Sequence, residues 1–252
     1  MSFLEVILLA LVEGLTEFLP VSSTGHLILM ARYLELQENQ FVTNFNIIIQ
    51  FGAILAVIFE YRERFFNNSK IYKTLLFGFI PTAVIGLLVG KHIDQLLNSV
   101  TVVAIALILG GIVLIFIDDW FSKKSSKKIE QLKPLNAVWI GVIQCLAFIP
   151  GVSRAAATII GGRLQGLSKV EATEFSFLLA VPTITAAACY KGIKVAATIQ
   201  AEQIVSLVIG TIMSFIFALI AIRFFIQIVS RFGLKYFGYY RIILGAIVLL
   251  VS

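Results

Sequence analysis

Apolar residues in this chain run in long unbroken blocks, not in the alternation of a half-buried strand or the stripe of a surface helix. Six such blocks lie at roughly 45–60, 74–91, 101–119, 171–190, 203–228 and 236–251, with few charges in them. About 20 apolar residues suffice for a helix to cross a bilayer, so each block predicts a transmembrane helix. Two further apolar regions, roughly 3–34 and 136–165, are interrupted at Pro20 and Pro150 by stretches rich in Gly, Ser and Thr. Irregular backbone at membrane depth is tolerated only where it is buried in protein or lines a wet cavity. These two regions therefore predict helix–loop–helix segments that dip into the membrane and return.

The interruptions resemble one another. FLPVSSTG (18–25) aligns with FIPGVSRAA (148–156) at an offset of 130, which pairs Pro20 with Pro150 and Ser23 with Ser153. The same offset sets FNIIIQFGAILA (45–56) against FSFLLAVPTITA (175–186), and near the ends LILGGIVLI (107–115) resembles IILGAIVLL (242–250). The chain reads as one membrane domain over residues 1–252, built of repeat one (1–121), a polar linker SKKSSKKIEQLKP (122–134) and repeat two (135–252). Each repeat would hold one re-entrant segment and three crossings. An odd number of crossings gives the halves opposite orientations, the inverted-repeat plan. The expected fold is thus an all-α, polytopic membrane helix bundle of two inverted-topology repeats.

Composition agrees. The chain is 59% hydrophobic and 13% charged, with a mean hydropathy of +0.98, whereas soluble domains are about 45–50% apolar and about 25% charged. The net charge of +6 points to no nucleic acid, because loop Lys and Arg in a membrane protein set orientation. One face would carry Arg62, Arg64, Lys70, Lys73, Lys123, Lys124, Lys127, Lys128, Lys133, Arg163, Lys169, Arg231 and Lys235. The other would carry Arg32, Lys91, Lys191 and Lys194. The basic-rich face is expected to be cytoplasmic, with both termini outside. The N-terminal segment lacks the basic region and cleavage site of a signal peptide and is expected to be part of the mature protein. Cys145 and Cys189 lie in apolar segments and read as buried small hydrophobes with no disulfide framework. GLLVG (86–90) and LGGIV (109–113) offer small residues for close packing, either within the monomer or in a homodimer.

The polar residues in the interruptions carry the chemistry. Charged side chains within the bilayer are costly and mark function by default. Glu13 and Glu17 are four apart and share a helix face. Two carboxylates side by side in a low dielectric need a proton or a cation between them. A hard divalent ion, Mg²⁺ or Ca²⁺, suits an oxygen-only pair. Ser22, Ser23, Thr24 and Gly25 follow Pro20 at the start of a half-helix, where hydroxyls and free N–H groups make an anion cradle. His26 adjoins that cradle, whereas His92 reads as an interfacial residue. In the second interruption Arg154 is the sole Arg or Lys between Lys133 and Arg163, and its fork matches phosphate oxygens. Gly151, Ser153 and Thr158 add donors around the same anion. Carboxylates, a hydroxyl nucleophile, a histidine and an arginine are equipment for cleaving a phosphate ester or anhydride. Within a lipid-facing bundle they imply a lipid-linked phosphate.

EGLTEFLPVSSTGH (13–26) and PGVSRAAAT (150–158) resemble the two signature segments of the undecaprenyl-diphosphatase, or bacitracin-resistance, family, an ExxxE stretch and a PGxSRxxxT stretch. The resemblance spans essentially the whole chain. It implies an enzyme of the bacterial inner (plasma) membrane with an outward-facing site. It also implies removal of the terminal phosphate of undecaprenyl diphosphate with a divalent cation, which recycles the carrier lipid for peptidoglycan synthesis. It places Glu13, Glu17, Ser23, His26, Ser153, Arg154 and Thr158 on the family's motif positions. Ala155 and Ala156 stand where the family often has Ser-Gly, so one hydroxyl donor is absent here. Three nucleophiles remain open: Ser23, His26 and a metal-bound water. The segment also resembles a phosphatase class that uses two histidines, but no histidine follows Arg154. The competing function is a transporter or flippase of the phosphorylated carrier lipid, which would bind the headgroup without chemistry.

Overall fold

The computed structural model describes residues 1–36, 40–67, 69–96, 99–121, 126–196 and 199–251. Among these residues it contains helices and no strand. Five helical stretches are long and apolar enough to cross a membrane: Phe41–Glu60, Lys70–Val89, Val100–Phe121, Lys169–Tyr190 and Ala201–Phe232. They belong to helices α3 (Gln40–Glu60), α5 (Ser69–Leu96), α6 (Val100–Phe121), α9 (Lys169–Ala196) and α10 (Ile204–Phe232). The sixth expected span forms α11 (Lys235–Val251), a helix of 17 residues, or about 25 Å at 1.5 Å per residue. Large apolar side chains such as Leu76, Ile80, Val84 and Leu87 on α5, and Ile105, Leu109 and Phe116 on α6, point outward. Outward-facing apolar surface on this scale needs lipid around it; the protein is a multi-pass membrane protein.

Each interrupted region folds as two short helices that pack on each other: α1 (Phe3–Thr16) with α2 (Ser23–Tyr33), and α7 (Pro134–Gln144) with α8 (Arg154–Leu164). The helix α1 begins on a reciprocal cap, in which the Ser2 hydroxyl accepts the Glu5 N–H and the Glu5 carboxylate accepts the Ser2 N–H. It stops short of Pro20, whose ring disfavours a helical residue before it. Both second helices start on a serine with positive φ, Ser22 at 71° and Ser153 at 75°. In each case the hydroxyl accepts the N–H three residues on, from Gly25 and from Ala156. A left-handed serine costs on the order of 1–3 kcal/mol and persists only where surroundings enforce it.

That correspondence corrects the alignment drawn from sequence. Ser153 is the counterpart of Ser22, not of Ser23, so the offset at the helix start is one more than 130. The added residue is Gly151, which sits at φ +93°, where a side chain would be strained. Ser23 and Arg154 are therefore the equivalent first residues of α2 and α8.

Packing exchanges elements between the halves. Helix α1 lies along α10, and its counterpart α7 lies along α5, the counterpart of α10. A Cβ on Gly14 would come within 2.6 Å of the Ser214 carbonyl, so α1 and α10 touch backbone to backbone next to Glu13. Helices α3 and α9 meet at the centre, and α6 pairs with α11. Beneath the first interruption four buried rings form a chain: Phe18 on Phe177 (5.5 Å), Phe177 on Phe225 (5.9 Å) and Phe225 on Phe237 (4.9 Å). The first and last pairs are edge-on, a geometry worth about 0.5–1.5 kcal/mol beyond burial. The chain ties the first interruption to α9, α10 and α11.

One end of the bundle holds Arg64, Lys127 and Arg163 of the residues assigned to the basic-rich face. Arg64 pairs with Glu130 and Glu174, both at 2.7 Å, and Arg163 faces Asp118 at 3.9 Å. The linker is docked there: Lys127 bridges to Leu167, Ile129 N–H donates to Glu171 at 2.8 Å, and Pro134 opens α7 at its first turn. Lys123 and Lys124 lie outside the described residues, as do the side chains of Lys91, His92, Lys191 and Lys194. Two sequence expectations change. Cys189 is exposed on α9 and Cys145 is half-buried, its thiol donating to the Gly141 carbonyl, so neither is a core residue. The glycines of LGGIV are used within the monomer: Gly110 faces Arg241 and Gly111 faces the Gly238 carbonyl.

Candidate active site

Glu13 and Glu17 occupy the last turn and C-cap of α1, and the Glu17 N–H still bonds the Glu13 carbonyl at 2.9 Å. This keeps the two carboxylates on one face, as their spacing predicts. Glu13 is fully buried and Glu17 is 8% exposed.

Glu17 is the hub. Its Oε2 accepts the Ser23 hydroxyl at 2.5 Å. Its Oε1 accepts Arg154 Nη2 at 3.1 Å, and the same nitrogen reaches the Glu17 carbonyl at 3.4 Å. The first residue of α2 and the first residue of α8 thus converge on one carboxylate from the two interruptions. Removing Arg154 would leave the buried Glu17 carboxylate uncompensated, at about 3–5 kcal/mol.

Arg154 is braced on its other side. Nη1 donates to the Ser176 carbonyl at 2.9 Å and lies 3.4 Å from the Ser176 hydroxyl. Thr158 Oγ1 shares a hydrogen bond with Ser176 Oγ at 2.6 Å and sits 2.9 Å from the Arg154 carbonyl. The guanidinium also stands 5.7 Å from the centre of the Phe18 ring. Thr158 therefore reaches the site through Ser176, a residue of α9 that the sequence patterns do not mark.

His26 faces elsewhere. Its Nδ1 lies 2.8 Å from the Ser22 carbonyl, and its Nε2 lies 2.6 Å from the Tyr240 hydroxyl. A carbonyl only accepts, so Nδ1 carries the proton and Nε2 accepts from the tyrosine. The two rings stack with 5° between their planes. His26 borders a cavity of about 270 Å³ lined also by Val12, Leu29, Met30, Tyr33 and Leu244.

The remaining candidates stand at the two helix starts. The Ser22 and Ser153 hydroxyls cap their helices, and Gly25 N–H is the donor that Ser22 takes. Thr24 is half-buried in the first turn of α2. Gly151 presses on Val103 so closely that no Cβ would fit.

Three buried polar groups at this centre lack a hydrogen-bond partner: both carboxylate oxygens of Glu13 and Nε of Arg154. Buried polar atoms are nearly always paired in native proteins. Two carboxyl oxygens and a guanidinium nitrogen left open beside one another suit a ligand that brings both a cation and a phosphate. Among the described residues no three His, Cys, Asp or Glu side chains are grouped to hold a metal. A hard cation here would take oxygens from Glu13 and Glu17 and complete its coordination with phosphate and water. Glu17 is engaged on both oxygens, which leaves Glu13 as the freer ligand.

Comparison with known proteins follows the same lines. The family described as bacitracin resistance protein BacA matches residues 6–247. Similar proteins named undecaprenyl-diphosphatase include one from Bdellovibrio bacteriovorus, 47% identical over 100% of this chain and 96% of that protein. One from Persephonella marina is 48% identical over 99% of each. One from Methanococcus aeolicus is 41% identical over 99% of this chain and 98% of that protein. With a match over nearly its full length and both signature segments folded around one carboxylate, the chain belongs to the bacitracin resistance protein BacA family.

Proposed function

We propose that this protein is an integral membrane phosphatase that hydrolyses undecaprenyl diphosphate to undecaprenyl phosphate and inorganic phosphate. Relatives named undecaprenyl-diphosphatase share 47% and 48% identity over almost the whole chain. The observation that carries the reading is the Ser23 hydroxyl 2.5 Å from Glu17, with Arg154 on the same carboxylate. Product release would recycle the carrier lipid for peptidoglycan synthesis, and bacitracin resistance follows from the family's description.

In this reading Ser23 Oγ attacks the terminal phosphorus as its proton passes to Glu17 Oε2. The bond to the bridging oxygen breaks, and undecaprenyl phosphate leaves with that oxygen. Water then attacks the phosphoserine phosphorus and the P–Oγ bond breaks; Glu17 returns its proton to Ser23 Oγ, and inorganic phosphate leaves with the oxygen and both protons of the water. Arg154 turns from Glu17 to the phosphoryl oxygens as Glu17 is neutralised, and its open Nε donates there as well. The N-terminus of α2, with its Ser22, Thr24 and Gly25 backbone, faces the same charge. Mg²⁺ or Ca²⁺ held by Glu13 and Glu17 would supply charge neutralisation for the diphosphate. His26 is less suited as nucleophile, because its Nε2 lone pair is taken by Tyr240. Ser153 and Gly151 shape the second helix start.

The same reading places the protein in the bacterial inner membrane as two inverted repeats with re-entrant α1–α2 and α7–α8. The Arg64, Lys127 and Arg163 end is cytoplasmic, and both termini and the site open outward. What supports the orientation is the concentration of Lys and Arg at one end. A lipid-linked diphosphate and the bilayer are the partners this requires; pairing of two copies is not.

Purified protein in detergent, supplied with undecaprenyl diphosphate, tests the assignment. Phosphate release that needs Mg²⁺ or Ca²⁺, stops in EDTA and is lost in Glu17→Ala and Arg154→Ala is expected. Intact lipid binding without phosphate release by the parent protein would replace this reading with a carrier-lipid transporter.

A further inference from the structure

Arg241 is the largest fully buried side chain in the protein. It sits on α11, and among the described residues no carboxylate is within ion-pairing distance of it. A buried guanidinium without a counter-charge must have every N–H satisfied by dipoles. It does. Nε donates to Leu107 O at 3.2 Å. Nη1 donates to Pro20 O and to Val152 O, both at 2.9 Å. Nη2 donates to Ala106 O at 3.0 Å and to Gly151 O at 2.9 Å. All five donors are used once, each on a backbone carbonyl.

The carbonyls come from three places. Ala106 and Leu107 belong to α6, Pro20 to the first interruption, and Gly151 with Val152 to the second. The last three lie in irregular backbone, where no helical N–H is available and unpaired groups at membrane depth cost several kcal/mol each. Pro20 is three residues before Ser23, and Val152 is two before Arg154. Gly110 makes room for the head: a Cβ there would collide with the guanidinium. No second residue of the bundle touches both interruptions and α6 in this way among the hydrogen bonds described.

We propose that Arg241 is a positioning residue for the phosphatase reaction. Its guanidinium clamps the two interruptions to each other and to α6, which sets the starts of α2 and α8 at the separation where Ser23 and Arg154 both meet Glu17. The fork is needed as well as the charge, because five carbonyls in three directions match five N–H vectors and no ammonium offers them. A small misplacement of reacting groups is enough to cost about 100-fold in rate.

The inference rests on the phosphatase reading, and one set of measurements separates the two. Parent protein, Arg241→Ala, Arg241→Lys and Gly110→Ala are compared in detergent for phosphate release over a range of lipid concentration, and for amide hydrogen exchange. Arg241→Ala and Arg241→Lys are expected to lose about 100-fold in kcat with KM changed less than threefold. Exchange is expected to quicken at residues 20–26 and 151–157 and to stay at parent rates in α3 and α10. Millimolar guanidinium chloride, filling the vacated carbonyl cage, is expected to restore part of the Arg241→Ala rate, and ammonium chloride is not. Gly110→Ala is expected to give a weaker copy of the same pattern. Lys and Ala variants within threefold of parent kcat would overturn the inference. So would exchange that quickens across the whole bundle, or failure of all three variants to fold, since either would make Arg241 a general determinant of the fold. An inactive parent would instead refute the phosphatase reading.

Discussion

Glu17 holds Ser23 on one carboxylate oxygen, at 2.5 Å, and Arg154 on the other, at 3.1 Å. The two partners are 131 positions apart in sequence and begin equivalent helices. The pair is complementary in charge: one end of the carboxylate is placed to take a proton while the other is held by a permanent cation. Glu17→Gln keeps the shape and removes the base. It is expected to lower kcat by about 10²–10⁴, the usual contribution of a positioned general base. Turnover at saturating lipid checks this, and a loss below tenfold would rule out Glu17 as the base.

The nucleophile has a chemical signature. Phosphoserine survives acid and phosphohistidine does not. Protein quenched in acid during turnover is expected to yield a phosphorylated peptide containing Ser23, read by mass spectrometry, and Ser23→Ala to yield none. Phosphate that is trapped under alkaline quench, lost in acid and mapped to His26 would transfer the role to the imidazole.

Ser176 joins Thr158 to Arg154, so its removal should loosen Arg154 without unseating it, because the Ser176 carbonyl at 2.9 Å remains. Ser176→Ala is expected to reduce kcat/KM about tenfold, which is about 1.4 kcal/mol. Thr158→Val should act through the same link, and the double variant should cost little more than either single one. A double-mutant cycle on phosphate release measures this, and full additivity would separate the two residues.

The residues legible in sequence and those that were not differ in where they sit. Glu13, Glu17, Ser23 and Arg154 lie at interruptions of apolar segments, where a polar residue stands out against its surroundings. Ser176, Tyr240 and Arg241 lie inside α9 and α11, whose other residues satisfy the span pattern, and nothing local marks them. Arg241 is a cation within such a block, but no motif surrounds it. Its partners are backbone carbonyls, which leave no trace in a sequence. The offset of 130 failed at the helix starts because Gly151 adds a residue there, and one residue decides whether Ser23 matches Ser153 or Arg154. Cys189 was expected inside from hydropathy alone, which does not distinguish a helix face turned to lipid from one turned to the core.

Tyr240 fixes His26 by donating to Nε2, while Ser22 fixes Nδ1. Tyr240→Phe frees the Nε2 lone pair and keeps the stacked ring. If His26 serves binding and not attack, the variant is expected to keep kcat within threefold and to change KM by a similar factor. Steady-state kinetics on the lipid decide it, and a rise in kcat on freeing the imidazole would point to histidine chemistry.

The proposed orientation rests on charge at one end of the bundle. Arg64 sits between Glu130 and Glu174, and Lys127 is held beside Leu167, so the linker and the α3–α4 corner, with α4 spanning Arg62–Asn67, share a face. A cysteine at Ser126 belongs to that face, and a cysteine at Leu36, at the far end of α2, belongs to the opposite one, because the spans α3, α5 and α6 lie between them. In a background with Cys145→Ala and Cys189→Ala, an impermeant maleimide added to intact cells is expected to label Leu36→Cys. Ser126→Cys should react only after permeabilisation. Labelling of both positions in intact cells would rule out this arrangement, because the three spans α3, α5 and α6 between residues 36 and 126 place them on opposite sides of the membrane.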